Sequence, residues 1–178
     1  LRDVIGTRHI GGKVDLWVKG SILDQRRTDT VKQQNLSFDL HPSWAGTKSG
    51  IVTVNGHSYS DPKLQSHNTN FALLVSNHFT EPFKSPHQYG KRIASFSNML
   101  GGGIIVQRFG DLLKGRRTNA HRLGKSFTKP TLQATPGDLS LVLPKRHLDN
   151  IIEMIQALNT IAPGMSNDDT LLYGVEVK

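Results

Sequence analysis

The stretch Ser85-Pro-His-Gln-Tyr-Gly-Lys-Arg-Ile-Ala-Ser-Phe-Ser-Asn-Met-Leu-Gly-Gly-Gly-Ile-Ile-Val106 contains a helix, its end and a strand that follows it. Ser85 suits the N-cap, and Pro86 suits the first helical position, where its missing N–H has no intrahelical partner to lose. Apolar side chains then recur every three or four residues and predict one buried stripe, made of Tyr89, Ile93, Phe96 and Leu100. The three glycines end the helix, and the β-branched residues after them predict a short strand.

Upstream of this unit, three patterns predict strands. Lys13–Lys19 alternates apolar and polar residues, as a half-buried strand does. Ile51–Val54 is β-branched and runs into Asn55-Gly56, a dipeptide typical of two-residue hairpin turns. Phe71–Val75 is continuously apolar, which is expected of a central strand covered on both faces.

Downstream, the patterns predict two further strands and a second helix. Leu139–Leu143 alternates before a proline, and Leu171–Lys178 alternates again. A helix is predicted at about His147–Asn159, with a core-facing stripe of Leu148, Ile151, Ile152, Ile155 and Leu158. About two main helices among these strands, without regular β-α-β alternation, favour an α+β fold with a mixed or antiparallel sheet. We expect a single domain over residues 1–178.

The composition argues against disulfide bonds, metal sites and membrane spans. The 178 residues include no cysteine, which excludes a disulfide framework and thiolate metal sites. The eight histidines are scattered singly without ligand spacing, and we therefore predict no metal site. No apolar run reaches the roughly 20 residues of a membrane span, so we expect no membrane contact. A cysteine-free chain fits a reducing compartment, and we expect a cytoplasmic location.

The segment Gln107-Arg-Phe-Gly-Asp-Leu-Leu-Lys-Gly-Arg-Arg-Thr118 concentrates arginines and glycines around one carboxylate. Seven Lys or Arg residues lie between Arg108 and Lys129, and Asp111 is the single acidic residue among them. Guanidinium groups present planar, bidentate donors that suit phosphate or carboxylate. An internal salt-bridge network and a solvated basic loop are the alternatives. Because only Asp111 is available locally to pair with the arginines, the pattern favours an anion site.

Several blocks, in order along the chain, resemble the uncharacterised FAD-dependent dehydrogenases, also described as NAD(FAD)-utilising dehydrogenases. The resemblance runs from about residue 13 to residue 178 and rests on Val54-Asn-Gly-His-Ser-Tyr59, Asn68-Thr-Asn-Phe-Ala72, Gln107-Arg-Phe-Gly-Asp111, Gly115-Arg-Arg117, Thr131-Leu-Gln-Ala-Thr-Pro-Gly-Asp138 and Asp168-Asp-Thr-Leu-Leu-Tyr173. In that family a Rossmann-type flavin domain is split by a long inserted region, and this chain resembles the insert.

The resemblance implies an oxidoreductase that uses FAD, with NAD(P) as a second candidate cofactor. The flanking FAD-binding domain of the same protein would be the partner, and an anionic small molecule the substrate. The inserted domain would cover the flavin and shape the substrate pocket, and on its own it would be inactive.

The resemblance and the residue types together suggest roles for particular side chains. His57 and Tyr59 are the catalytic candidates, because they would line the reacting face beside Asn55. The cofactor-binding candidates, which would hold the flavin diphosphate or a carboxylate substrate, are Asn55, Gln107, Arg108, Asp111, Arg116 and Arg117.

One block departs from the family, and one alternative function stays open. The family carries a Phe-Cys-x-x-Pro-Gly-Gly block, whereas here Phe38–Trp44 has Asp39 in place of the cysteine and lacks the paired glycines. The alternative is a basic nucleic-acid-binding module, with phosphate contacts spread over Arg108 to Lys129. Aromatic stacking platforms for single strands are sparse there, since Phe109 and Phe127 are the segment's aromatic residues.

Overall fold

The structure is a computed structural model, and it describes residues 13–23, 38–44, 51–58, 63, 67–82 and 85–177. Within these ranges the strands are β1 (Lys13–Leu23), β2 (Phe38–Trp44), β3 (Val52–Ser58), β4 (Asn68–His78), β5 (Ile105–Arg108), β6 (Thr135–Pro136) and β7 (Leu171–Val177). The helices are α1 (Pro86–Gly101), α2 (Phe109–Leu113), α3 (Ala120–Lys125) and α4 (Lys145–Leu158), with a 3-10 helix at Leu139–Leu141.

Five of these strands form one sheet in the order β4-β1-β7-β5-β6, and β2 pairs with β3 in a separate two-stranded sheet. All the pairings are antiparallel except that of β5 with β6, which is parallel. The predicted α+β fold with a mixed sheet is therefore confirmed. No helix in the described ranges combines the length and apolar composition that crossing a membrane requires.

The large sheet buries apolar side chains on both faces, as the two-residue period of a strand requires. Ile105 and Leu172 belong to a core that includes Ile151 and Ile155 of α4. Their sequence neighbours Val106, Leu171 and Tyr173 belong to a second core, which includes Val54 of β3. β7, which lies between β1 and β5, thus has both faces covered.

Helix α1 begins and ends where the sequence predicted. Pro86 occupies the first turn, and Gly102 closes the helix in the left-handed conformation at φ 61°. The predicted apolar stripe was wrong for Phe96 and Leu100, which remain 41% and 43% exposed, whereas Tyr89 and Ile93 are partly buried and Ile93 packs against the core. The buried face is made instead of small residues, which are Gly90, Ala94, Ser97 and Gly101 together with Pro86. A Cβ on Gly101 would stand 2.6 Å from the Cγ1 of Ile105, so only glycine allows this close packing without a shift.

Two strand predictions were wrong in detail. Asn55-Gly56 makes no turn, because β3 continues through it and pairs with His41 and Leu40 of β2. The apolar run Phe71–Val75 is not central: it lies in β4, at one end of the sheet order, where α4 packs nearby. Helix packing explains an edge strand that is as apolar as a central one.

The downstream predictions had mixed outcomes. The segment Leu139–Leu143 is not a strand, because a 3-10 helix forms at its start. The Asp138 carboxylate accepts a hydrogen bond from the Ser140 amide at 2.9 Å, and the Gln107 side chain accepts one from the Leu139 amide at 2.7 Å. These two acceptors satisfy the amides that a strand would have used in a ladder. The helix predicted at 147–159 is confirmed as α4 and the strand at 171–178 as β7.

Candidate functional site

The predicted arginine segment folds back over the end of β5. The chain leaves the sheet at Arg108, forms α2, turns at Gly115 and returns alongside. The Arg108 amide donates to the Thr118 hydroxyl oxygen at 2.9 Å, and the Thr118 amide donates to the Gly137 carbonyl at 3.0 Å. These bonds fix the segment that follows Gly115, so its side chains lie against the buried start of α2.

Asp111 is the centre of this arrangement. Its side chain is fully buried and accepts three hydrogen bonds. The Arg116 Nε donates to Oδ1 at 2.8 Å, while the Thr118 hydroxyl and the Arg122 Nε donate to Oδ2 at 2.8 Å and 3.1 Å. Burial alone would raise the pKa of the Asp111 carboxyl, but these donors outweigh burial and lower the pKa below its ordinary value.

A second carboxylate, that of Asp169 near the C-terminal end of the sequence, also pairs with an arginine of this segment. Asp169, 61 residues from Arg108 in sequence, accepts the Arg108 Nε at 3.0 Å and also contacts a terminal nitrogen of the same guanidinium. Its other oxygen accepts the Phe127 amide at 2.9 Å. Burial would raise the pKa of Asp169, but the Phe127 amide and Arg108 outweigh burial and lower it. Arg108, Arg116 and Arg122 therefore form the internal salt-bridge network that the sequence left as an alternative, whereas Arg117 is not part of it.

Gln107 and Arg108 are bonded within the protein. The Gln107 side chain is fully buried, with its amide nitrogen 3.0 Å from the Arg116 carbonyl and its oxygen on the Leu139 amide. The Arg108 side chain is 15% exposed and lies between Asp169 and Asp111, 3.6 Å from the latter. Both side chains therefore use their polar groups to support the segment.

Arg116 and Arg117 face the solvent instead. The Arg116 side chain is 48% exposed although its Nε is bonded to Asp111. Arg117 is exposed, and in the described part of the chain its side chain has no ion pair. Its carbonyl accepts a hydrogen bond from a terminal nitrogen of Arg122. The network consequently holds Arg116 in place and leaves positive charge on the surface.

Asn55 and His57 lie on a different element. Both belong to β3, where their backbones pair with His41 and Asp39. Tyr59 lies outside the described residues. Asn98 of α1 holds the start of β3: its side chain accepts from the Val52 amide at 2.7 Å and donates to the Val52 carbonyl at 2.9 Å. The structure thus brings together Gln107, Arg108, Asp111 and Arg116, whereas Asn55 and His57 belong to the separate two-stranded sheet.

Sequence reasoning missed four residues of interest, which are Thr118, Arg122, Asp169 and Tyr173. The N-cap at Asn119, whose side chain accepts from the Arg122 amide at 2.9 Å, was a readable signal for a helix that turns Arg122 towards Asp111. Asp169 belongs to a block that carried the family resemblance, yet nothing in its spacing linked it to Arg108. Tyr173 is fully buried, and among the described residues its hydroxyl has no hydrogen-bond partner, while burial raises its pKa.

A comparison with known protein families finds a match over most of the chain. A family model described as "FAD-dependent protein, C-terminal domain-like" matches residues 44–178, which is 135 of the 178 residues. A search of curated proteins finds no significant match. The matched region contains β3 and β4, every described helix and both carboxylates of the arginine network. On this evidence the chain belongs to the family of FAD-dependent protein, C-terminal domain-like sequences.

Proposed function

We propose that this chain is the part of an FAD-dependent oxidoreductase that covers the flavin and shapes the substrate pocket. In this proposal a flanking FAD-binding domain of the same protein is the partner, with the chain inserted in it. The flavin would supply the redox chemistry, and the chain would bind and orient charged groups near it. The family description supports the flavin, and the arginine network supports the second role.

One observation carries the proposal: a buried carboxylate fixes an exposed guanidinium. Arg116 uses only its Nε to reach Asp111, so within the described residues both of its terminal nitrogens remain donors on a half-exposed surface. Fixing an arginine in advance lowers the entropy that anion binding costs. Arg116 and the neighbouring Arg117 are therefore our candidates for direct contact with an anion, since their free groups are all donors.

The other predicted residues take supporting or adjacent roles in this proposal. Gln107, Arg108 and Asp111 would hold the anion site from within, because their polar groups are bonded inside the protein. Asn55, His57 and Tyr59 would line the reacting face, with His57 and Tyr59 as the proton-transfer candidates. The anion would be the flavin diphosphate or a carboxylate of the substrate. NAD(P) would serve as the second cofactor.

The test is the visible spectrum of the native polypeptide that carries this chain. A bound oxidised flavin absorbs at about 450 nm, because the chromophore belongs to the cofactor. We expect the native polypeptide to be yellow, and we expect Arg116→Ala/Arg117→Ala to retain less flavin or to require more substrate for half-maximal turnover. The matched control is Lys91→Ala/Arg92→Ala, which removes two adjacent exposed cations from α1.

A colourless native polypeptide would contradict the proposal. Titration with an oligonucleotide addresses the alternative function in the same samples. Tight binding with a steep salt dependence would support the nucleic-acid-binding module instead, because phosphate contacts release counterions.

A further inference from the structure

We infer that the anion held at this surface is a doubly charged phosphate or diphosphate group, bound by Arg116, Arg117 and Arg122. The inference rests on the proposed function and specifies the ligand of the same site. It follows from the charge balance of the network, the geometry of its free donors and the openness of the turn beside it.

The charge balance favours an anion with two negative charges. The network contains three arginines (Arg108, Arg116 and Arg122) and two carboxylates (Asp111 and Asp169), so three minus two leaves +1. Arg117 follows Arg116 directly and has no ion pair in the described part of the chain, so it raises this charge to +2. The nearby Lys114 and Asp168 form their own pair at 2.8 Å and cancel. A monocarboxylate would leave half of this charge unneutralised, whereas a phosphate dianion or a diphosphate matches it.

The free donors also favour phosphate. Arg116 and Arg122 are bonded through Nε to opposite oxygens of the one Asp111 carboxylate, so their guanidinium groups are held next to each other. One terminal nitrogen of Arg122 already donates to the Arg117 carbonyl, so within the described residues Arg122 keeps one terminal nitrogen for a ligand and Arg116 keeps both. A carboxylate presents two oxygens in one plane, and a single guanidinium already satisfies both. A phosphate presents at least three acceptor oxygens in a tetrahedral arrangement, and it can bridge neighbouring guanidinium groups.

The backbone beside these side chains is accessible. Gly115 adopts φ 60°, a left-handed conformation that favours glycine, and among the described residues no atom other than those of its chain neighbours lies within 4 Å of the position its Cβ would take. In the described part of the chain, the amide of Arg117 donates to no protein group, because the bonds of this turn come from residues 115, 116 and 118. A phosphate oxygen at the turn can therefore receive a backbone N–H as well as guanidinium donors.

Asp111 is a positioning residue in this arrangement, since it orients the guanidinium groups and does not face the ligand. Its carboxylate is fully buried and is bonded to both Arg116 and Arg122. Replacement by asparagine would remove the charge and one acceptor oxygen. The arginines would then move more freely, and phosphate affinity would fall while their own charges remained.

The experiment is calorimetric titration of the full chain with inorganic phosphate, pyrophosphate and acetate at constant ionic strength. We expect phosphate and pyrophosphate to bind at least about tenfold more tightly than acetate. Arg117→Ala should weaken phosphate binding about fivefold or more, and Lys91→Ala/Arg92→Ala should leave it unchanged. Arg117→Ala is the decisive variant, because an exposed side chain without an ion pair can be truncated without disturbing the fold.

Two results would overturn the inference: equal affinity for acetate and phosphate, or equal weakening by Arg117→Ala and by the control on α1. The same titration on the flavin-loaded native polypeptide distinguishes the sources of the phosphate. Blocked binding would assign the site to the diphosphate of FAD, and retained binding would assign it to a phosphorylated substrate or a second nucleotide. Bound flavin without any phosphate preference would refute only this inference. Phosphate binding by a colourless native polypeptide would refute only the proposed function.

Discussion

Arg108 and Asp169 form an ion pair that joins the end of β5 to the turn before β7. The Nε–Oδ1 distance is 3.0 Å, and the side chains are 15% and 11% exposed. Two backbone bonds run beside the pair, from the Phe109 amide to the Thr170 carbonyl and from the Gly110 amide to the Asp168 carbonyl. The ion pair therefore belongs to a junction that fixes α2, and with it Asp111, against the central strand.

Removing the Asp169 carboxylate should destabilise the fold. Asp169→Asn leaves the Arg108 charge in a mostly buried position, and we expect the free energy of unfolding to fall by about 2–4 kcal/mol. The matched control is Asp149→Asn, which breaks an exposed i,i+4 pair with Lys145 and should cost less than about 0.5 kcal/mol. Urea denaturation of both variants measures the difference. Equal losses would show that the buried pair contributes no more than the surface pair.

The buried carboxylates of Asp111 and Asp169 should make the stability of the fold decrease at acid pH. The pKa values of Asp111 and Asp169 are lower in the folded protein than in the unfolded chain, where an aspartate has a pKa of about 3.9. Their contribution is therefore fully present above about pH 4 to 5, and it is lost as the pH falls through the folded values, because the unfolded chain binds the protons first.

Thermal unfolding measured between pH 6 and pH 2 tests this dependence. We expect the melting temperature to fall with decreasing pH more steeply in the native chain than in Asp111→Asn, which has one such carboxylate fewer. A variant with the same slope as the native chain would show that Asp111 does not titrate in this window.

The sequence predicted the parts of the fold that local patterns control. Helix α4 followed from its apolar spacing, and the end of α1 followed from its glycines. The buried face of α1 did not follow, because this helix packs closely on β5 at Gly101 and on β7 at Ser97, and small residues form its buried face where the hydrophobic period had indicated Phe96 and Leu100. Hydrophobic spacing identifies a helix, but its contact surface depends on how near the next element lies.

The candidate site was predicted only in part, for a similar reason. The cluster of arginines and its central carboxylate could be read from adjacent residues. The partner of Arg108 could not, since Asp169 is 61 positions away and arrives through the pairing of β5 with β7. Local charge counting therefore overestimated the number of unpaired arginines.

Gly110 should not tolerate a side chain. An added Cβ would lie 2.4 Å from the Cγ and 2.7 Å from the Cβ of Asp168, and the latter atom is fixed by the backbone. We expect Gly110→Ala to lower the free energy of unfolding by about 1–3 kcal/mol, because the turn that carries Asp168 and Asp169 must shift. Gly124→Ala in α3 is the control: no atom lies within 4 Å of its added Cβ, and a helical alanine should be neutral or stabilising by up to about 1 kcal/mol. A Gly110→Ala variant as stable as the control would mean that the turn moves without cost.

A Tyr173→Phe variant tests whether the Tyr173 hydroxyl has a structural role or a ligand-binding role. Its ring is fully buried in the core that contains Val54 and Val106, and its hydroxyl has no hydrogen-bond partner in the part of the chain that the structure describes. Because an unpaired buried hydroxyl is unfavourable, Tyr173→Phe should raise the free energy of unfolding by about 1 kcal/mol. Tyr89→Phe, at a partly exposed position on α1, should change it by less than about 0.5 kcal/mol. Denaturant unfolding of the ligand-free chain measures both values. A loss of stability in Tyr173→Phe would show that the hydroxyl makes a hydrogen bond within the protein. If the variant is not destabilised but the native polypeptide that carries it binds flavin more weakly, the hydroxyl bonds to the cofactor.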